Sequence, residues 1–375
     1  MARSYWGRGW DKPGEGEASA PLQSDYAHGR GASTNMSGRF ESEVRVLADD
    51  GWGALDAEPP PLETEVMIDA TRSIIARNSS PDLSFDRSIN PYRGCEHGCV
   101  YCFARPTHAY LGMSPGLDFE SRILTKPKAG ELLRAELMEP SYRPQQIAIG
   151  TNTDAYQPLE RRLMIMRDVL QVLRTFKHPV GIVTKSNLIT RDIDILADMV
   201  HDNIARVAIS ITTLDRKLAR VMEPRAATPE RRLDAIRMLS SAGIPTAVMF
   251  APAIPALNDS EMESVLEAAA EAGARSAGFI VLRLPLEIKD LFREWLQRHF
   301  PDKADHIFSL VRSMRGGRDY DSTFGLRMKG TGPYAQMLAQ RFRIATKRYG
   351  LDKKSAPLDL SKFTRPEAGG QLRLL

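Results

Sequence analysis

Residues 91–105 read PYRGCEHGCVYCFAR, and they hold Cys95, Cys99 and Cys102, the only three cysteines among 375 residues. An odd, clustered set of thiols argues against a disulfide framework and for a metal or reactive centre. Gaps of three residues and then two let one short loop wrap three thiolates around a compact metal centre. A four-coordinate zinc would need a fourth ligand, for which His97 and His108 stand close in the chain. Inert buried thiols are another reading, but the loop also carries Arg93, Glu96, His97 and Arg105, which is poor core material. The reading we favour is an iron–sulfur cubane held by three cysteines. It leaves one iron without a protein ligand, and an open metal position is a place to bind a reactant.

Outward from this loop, short apolar runs alternate with helical patterns. SINPY (88–92) leads into the cysteines, and QQIAIG (145–150), VGIVT (180–184), ARVAISI (205–211), TAVMFA (246–251) and SAGFIVLRL (276–284) follow as strands. Between them lie LERRLMIMRDVLQVLRTF, with apolar residues three or four apart, and the helical segments IDILADMVHD, PERRLDAIRMLSSAG, SEMESVLEAAAEAG and LFREWLQRHF. Such alternation requires right-handed crossovers and a parallel sheet. The pattern predicts an α/β fold, a partial (β/α)6 TIM-like barrel, with a doubly wound sheet as the alternative. In a (β/α) barrel, chemistry gathers at the C-terminal ends of the strands. That expectation brings the cysteines, Thr153, Asp154, Lys185, Ser210 and Arg225 to one mouth. Lys185, at a strand end, offers a cation for a carboxylate, and Ser210 a hydroxyl one strand away. Taken singly, Thr153, Asp154 and Ser210 also suit helix caps and turns.

The spacing Cys95-x3-Cys99-x2-Cys102, with Tyr101 and Phe103 flanking the last cysteine, resembles the signature loop of radical SAM enzymes. The resemblance covers roughly residues 85–300. Within that superfamily the chain is similar to the spore photoproduct lyase-related branch, through GTNTDAYQPLE, IVTKSNL, VAISITTL and EPRAATPERRLDAIRMLSSAGIP. The resemblance implies a radical SAM barrel carrying a [4Fe–4S] cluster on Cys95, Cys99 and Cys102, with S-adenosylmethionine chelating the open iron. One electron, from a donor of flavodoxin or ferredoxin type, would cleave the sulfonium and yield a 5′-deoxyadenosyl radical that abstracts hydrogen from substrate. The protein's own share is to bind, orient and exclude side reactions. Overlaid motifs assign Tyr101, Thr153, Asp154, Lys185 and Ser210 to the cofactor. The chain departs from the DNA-repairing lyases at one position: Thr151 stands where their hydrogen-returning cysteine lies. A hydroxyl O–H bond is far too strong for that role, so the thymine-dimer reaction is not carried over. Tyr101, Tyr110 and Tyr156 are alternative relays.

Composition bounds the rest. The hydrophobic fraction is 42% and the net charge +4, with no apolar run of membrane-spanning or signal-peptide length, so we expect a cytoplasmic protein without a membrane partner. Residues 301–375 hold 15 Lys and Arg against 7 Asp and Glu. This basic part hints at a polyanionic partner, and Arg225, Arg231 and Arg232 near a helix start suit phosphate. A nucleic-acid substrate is the resulting expectation, with Arg225 as a substrate residue. We divide the chain into a mostly irregular extension (1–60), in which HGRGASTNMSGRFE can dock through Arg30, Arg39 and Phe40, a core (61–300), and a basic helical extension (301–375). The glycine-rich RGGRDYDSTFGLRMKGTG of that extension is expected over or beside the barrel mouth. The rival function is a zinc-stabilised nucleic-acid-binding protein without catalysis. A protein that only delivers its cluster is a third.

Overall fold

The computed structural model describes residues 29–41, 62–353 and 356–366. Most of the 1–60 extension, and the last part of the basic tail, therefore lie outside the described residues. Ten strands occur in chain order among them: β1 (Glu65–Ile68), β2 (Ile75–Arg77), β3 (Arg87–Ile89), β4 (Tyr92–Arg93), β5 (Arg122–Thr125), β6 (Ile147–Ile149), β7 (Val180–Thr184), β8 (Ala205–Ser210), β9 (Thr246–Ala253) and β10 (Ser276–Val281). The longer helices are α1 (Ala129–Met138), α2 (Ile165–Thr175), α3 (Ile193–His201), α4 (Pro229–Ser241), α5 (Met262–Glu271), α6 (Ile288–His299), α7 (Pro301–Ser313) and α8 (Gly332–Arg348).

The main sheet runs β2-β3-β6-β7-β8-β9-β10, all parallel except β2, which pairs antiparallel with β3. From β3 onward each new strand joins the outer edge of the one before. Among the described residues no reversal of strand order occurs, and so no switch point of the kind a doubly wound sheet requires. Right-handed crossovers of one sense put their helices on one face, which makes this a singly wound, open barrel-like sheet. Ile147, Ile149, Val180, Ile182, Val207, Ile209, Val248 and Phe250 form its fully buried core. Strands covered on both faces read as continuous apolar runs, as these do. Among the described residues no helix is long and apolar enough to cross a membrane.

The structure departs from the sequence reading in two places that shape the mouth. SINPY is not one strand. Pro91 lacks an N–H, and the chain turns there from β3 into β4, which leaves the main sheet for a second one ordered β1-β5-β4. LERRLMIMRDVLQVLRTF is not one helix. Met164 adopts the left-handed region (φ 55°) and ends the short helix Glu160–Leu163 before α2 begins. The buried Glu160 carboxylate drives the break. It accepts the Met166 N–H at 3.1 Å, the Tyr92 hydroxyl at 2.5 Å and Arg191 at 2.8 Å.

The C-terminal elements pack on the last strands. Phe342 of α8 lies 4.6 Å from Phe279 of β10 between ring centroids, and Arg341 pairs with Glu263 of α5 at 2.6 Å. The loop after α7 is tied to the end of β10: Arg315 donates to the carbonyls of Leu282 and Leu326, both at 2.9 Å. At the opposite end of the sheet, Phe363 packs on Phe176, Tyr142 and His178. His178 is buried between the Tyr142 hydroxyl (2.8 Å) and the Pro179 carbonyl (3.1 Å), and burial lowers its pKa to about 4. An unfolded imidazole titrates near 6.5, so between there and about 4 only the unfolded chain binds the proton. Stability is whole above pH 6.5 and is lost as pH falls toward 4, by on the order of 3 kcal/mol from this group. Urea unfolding of His178→Gln at pH 7 and pH 4.5 should show a shallower acid loss than wild type; an unchanged difference contradicts this origin.

Candidate active site at the mouth of the sheet

The cysteine loop leaves β4 and crosses the C-terminal ends of β6, β7 and β8. Cys95 and Cys99 are buried and Cys102 half-buried, all three free thiols. They lie close enough that the charge on one disfavours charge on another. Burial pushes each thiol up, Cys95 and Cys99 well up; near Cys95, Asp154 adds repulsion while its own N–H donates back. The charges that favour thiolate are Lys185, acting on Cys99 and Cys102, Arg105, acting on Cys102, and Arg232, acting on Cys99. Thiols this hard to ionise without a metal release their protons on metal binding.

A buried pair fixes the loop from beneath. Arg105 donates to Glu120 at 2.5 Å and to the carbonyls of Cys99, Pro115, Gly116 and Gly98. Glu120 in turn accepts the N–H groups of Gly31 and Ala32, both at 2.8 Å. Residues 30–35 therefore form a wall of the site: Arg30 donates to the Glu120 and Leu62 carbonyls, and Asn35 bonds Asp118. Arg30 thus docks on Glu120, Leu62 and Thr64 beneath the loop, while Arg39 pairs with Glu287 and Phe40 remains exposed. Contact is close enough to demand glycine. A Cβ on Gly31 would lie 1.7 Å from the Gly98 carbonyl oxygen, and Gly98 itself has φ +68°.

From the sheet side, Asp154 ties three elements together. It accepts from the Thr184 hydroxyl (2.7 Å), the Lys185 N–H (2.8 Å) and the Tyr156 N–H (2.9 Å), and meets His97 Nδ1 at 3.3 Å. Burial alone would raise its pKa; His97 and the other donors outweigh that and hold the carboxyl low. Thr153 donates to the Tyr92 carbonyl at 2.9 Å. The polar side-chain atoms of Thr153 and Asp154 are thus engaged by the protein. Lys185 differs: among the described residues it has no ion pair, and its ammonium sits 5.8 Å from the centroid of the Tyr101 ring. The Ser210 hydroxyl likewise has no protein partner among the described residues, while its carbonyl accepts Arg232 at 3.0 Å.

Tyr101 joins this network through Glu223, which accepts from the Tyr101 hydroxyl, from Arg232 and from the Thr212 hydroxyl (2.9 Å). Arg232 is therefore a buried partner of a carboxylate, which corrects its expected place in a phosphate site. Arg225 is also paired, to Glu96 at 3.0 Å, and its N–H donates to the His97 carbonyl. Tyr156 is buried and donates to Asp192, and Tyr110 lies on the surface. His97 is held by Asp154, and His108 by the Arg122 carbonyl at 3.0 Å, with its pKa lowered to about 4 by burial. No group of three or more His, Cys, Asp or Glu among the described residues is gathered as for a single ion. A cubane takes its thiolates at separate irons and does not ask for such convergence. Sequence reasoning missed Glu120, Glu223 and Gly31, since nothing local marks a carboxylate whose partners lie far along the chain.

The radical SAM superfamily model matches residues 89–269. An uncharacterized protein of Mycobacterium tuberculosis, Rv2578c, is 38% identical over 232 residues, 61% of this chain and 68% of its own. An uncharacterized protein of Methanocaldococcus jannaschii, MJ0683, is 25% identical over 219 residues, 58% of this chain and 78% of its own. Spore photoproduct lyase complexed with dinucleoside spore photoproduct shares the fold, with TM-score 0.54 and 18% identity over 76% of this chain and 78% of that one. The chain belongs to the radical SAM superfamily and is a radical SAM enzyme.

One buried ion pair and one close backbone approach generate tests. Glu223→Gln leaves Arg232 as an uncompensated buried charge and should lower unfolding stability by about 3–5 kcal/mol. Gly31→Ala should cost upward of about 2 kcal/mol by forcing backbone apart. Chemical denaturation reads both; a loss below 1 kcal/mol in either contradicts the assigned contact.

Proposed function

We propose that this enzyme holds a [4Fe–4S] cluster on Cys95, Cys99 and Cys102 and binds S-adenosylmethionine at the iron those thiolates leave open. When bound, the cluster supplies the electron that cleaves the sulfonium to a 5′-deoxyadenosyl radical. The observation that carries this reading is Lys185: an ammonium at a strand end without an ion pair among the described residues, over Tyr101 and within charge range of two of the three thiols. In this account Lys185 binds the carboxylate of S-adenosylmethionine, and the Ser210 hydroxyl, without a protein partner among the described residues, takes a second polar group. Tyr101, fixed by Glu223, lends backbone and ring to the adenine. Thr153 and Asp154 act by orienting the loop and Lys185, since their own polar atoms are engaged.

The substrate we propose is nucleic acid, the reducing partner a flavodoxin or ferredoxin, and the compartment the cytoplasm, where unpaired thiols stay reduced. Residues 61–300 form the catalytic core in this reading, and 301–375 its substrate-facing extension. Thr151 rules out a cysteine-type hydrogen return from that position.

Anaerobically reconstituted protein should be brown, carry about four irons per chain and release 5′-deoxyadenosine with dithionite. A colourless protein with one zinc per chain would falsify the proposal. Lys185→Met should keep the iron and weaken S-adenosylmethionine binding by about tenfold or more, the loss of one charged hydrogen bond. Unchanged affinity would remove Lys185 from the cofactor site.

A further inference from the structure

The geometry points to a binding path for a single phosphodiester strand, running from a basic cleft after α7 to the cysteine loop. It rests on the reading of the mouth as the reaction site. The cleft, about 550 Å³ and open to solvent, is lined by Lys289, Arg312, Gly317, Arg318, Asp319 and Tyr320. Three cations there face one carboxylate. Arg312 neutralises Asp319 at 2.6 Å. Arg318, itself largely exposed, pairs with Asp321 at 3.4 Å, and a long pair with one exposed partner is weak enough for a phosphate to displace. Lys289 has no acidic partner among the described residues. A net positive cleft attracts phosphate regardless of sequence.

A solvated basic loop would carry the same charges, so the path rests on what joins the cleft to the mouth. Tyr320 is a wall of the cleft, and its hydroxyl lies 3.5 Å from Arg283 Nη2. Arg283 follows β10 by two residues, and its guanidinium stands 4.6 Å from the centroid of Phe103, the residue after Cys102. Among the described residues Arg283 has no carboxylate partner, and its Nε is buried without an acceptor. A planar donor fork held on an aromatic face and left without an anion is matched to a phosphate. The buried Arg315, bonded to the Leu282 and Leu326 carbonyls, fixes this loop against the strand end, so the spacing of cleft and mouth is built in. Cations thus alternate with aromatic faces along the path: Lys289 and Arg318, Tyr320, Arg283, then Phe103, which is 42% exposed. Single-strand binders combine a cationic groove with faces on which bases stack. An acidic peptide would use the cations alone, which favours nucleic acid.

The test is anisotropy of a labelled ten-nucleotide single strand, DNA and RNA in parallel, with the reconstituted full chain across a salt series. The charge reversal Lys289→Glu/Arg318→Glu should weaken binding by about tenfold or more and lower the log–log salt slope by about 1.4, two single-strand phosphate contacts. Lys347→Glu/Arg348→Glu, on the far end of α8, should retain wild-type affinity. Equal losses in the two variants, no loss in the first, or equally tight binding of a polyglutamate of matched charge would each overturn the path. Release of 5′-deoxyadenosine by wild-type protein without oligonucleotide tests the mouth chemistry separately. If it proceeds and no strand binds, the path fails and the proposed function stands.

Discussion

Everything at this mouth depends on a carboxylate buried under the cysteine loop. Glu120 holds Arg105 from one side and the N–H groups of Gly31 and Ala32 from the other, and Arg105 carries four carbonyls of the loop and its return. A buried ion pair of this kind is weak evidence for stability, because desolvation offsets most of the Coulomb gain. Its effect is on shape. With every Arg105 donor directed at a named oxygen, the loop is held in one conformation, and with it the spacing of the three thiols. The N-terminal segment closes the arrangement, and the Gly31–Gly98 approach leaves no room for any other residue.

Two further carboxylates register this loop against the sheet. Asp154 connects it, through His97, to the ends of β6 and β7, and Glu223 connects it, through Tyr101 and Arg232, to the end of β8. The polar residues of the mouth therefore divide by occupation. Asp154, Glu223, Arg232, Thr153 and Arg225 are partnered within the protein. Among the described residues Lys185 and Arg283 have no anionic partner, and the Ser210 hydroxyl has no protein partner. Free valence rather than residue type separates groups that build the site from groups available to a ligand.

Much of this was legible in the sequence. Continuous apolar runs such as VGIVT and ARVAIS, separated by amphipathic segments, specify parallel strands and crossovers, and the cysteine spacing marks the loop. Lys185 and Ser210 follow because strand ends of such folds share one mouth. What the sequence hid depends on contacts between distant residues. Pro91 splitting SINPY, and Glu160 capping α2 from across a break, are tertiary effects that override local period. Arg232 reads as a solvent-facing helix start until its partner Glu223 is known. Glu120 and Gly31, 89 positions apart, carry no local signature at all.

The central claim is that three sulfur ligands leave a cluster iron free for S-adenosylmethionine. Its most direct measurement is electron–nuclear double resonance on the reduced, anaerobically prepared enzyme with isotope-labelled S-adenosylmethionine. The account expects hyperfine coupling from the amino nitrogen and carboxylate oxygen of the bound molecule to the cluster. A reduced cluster with no such coupling at saturating S-adenosylmethionine would contradict it.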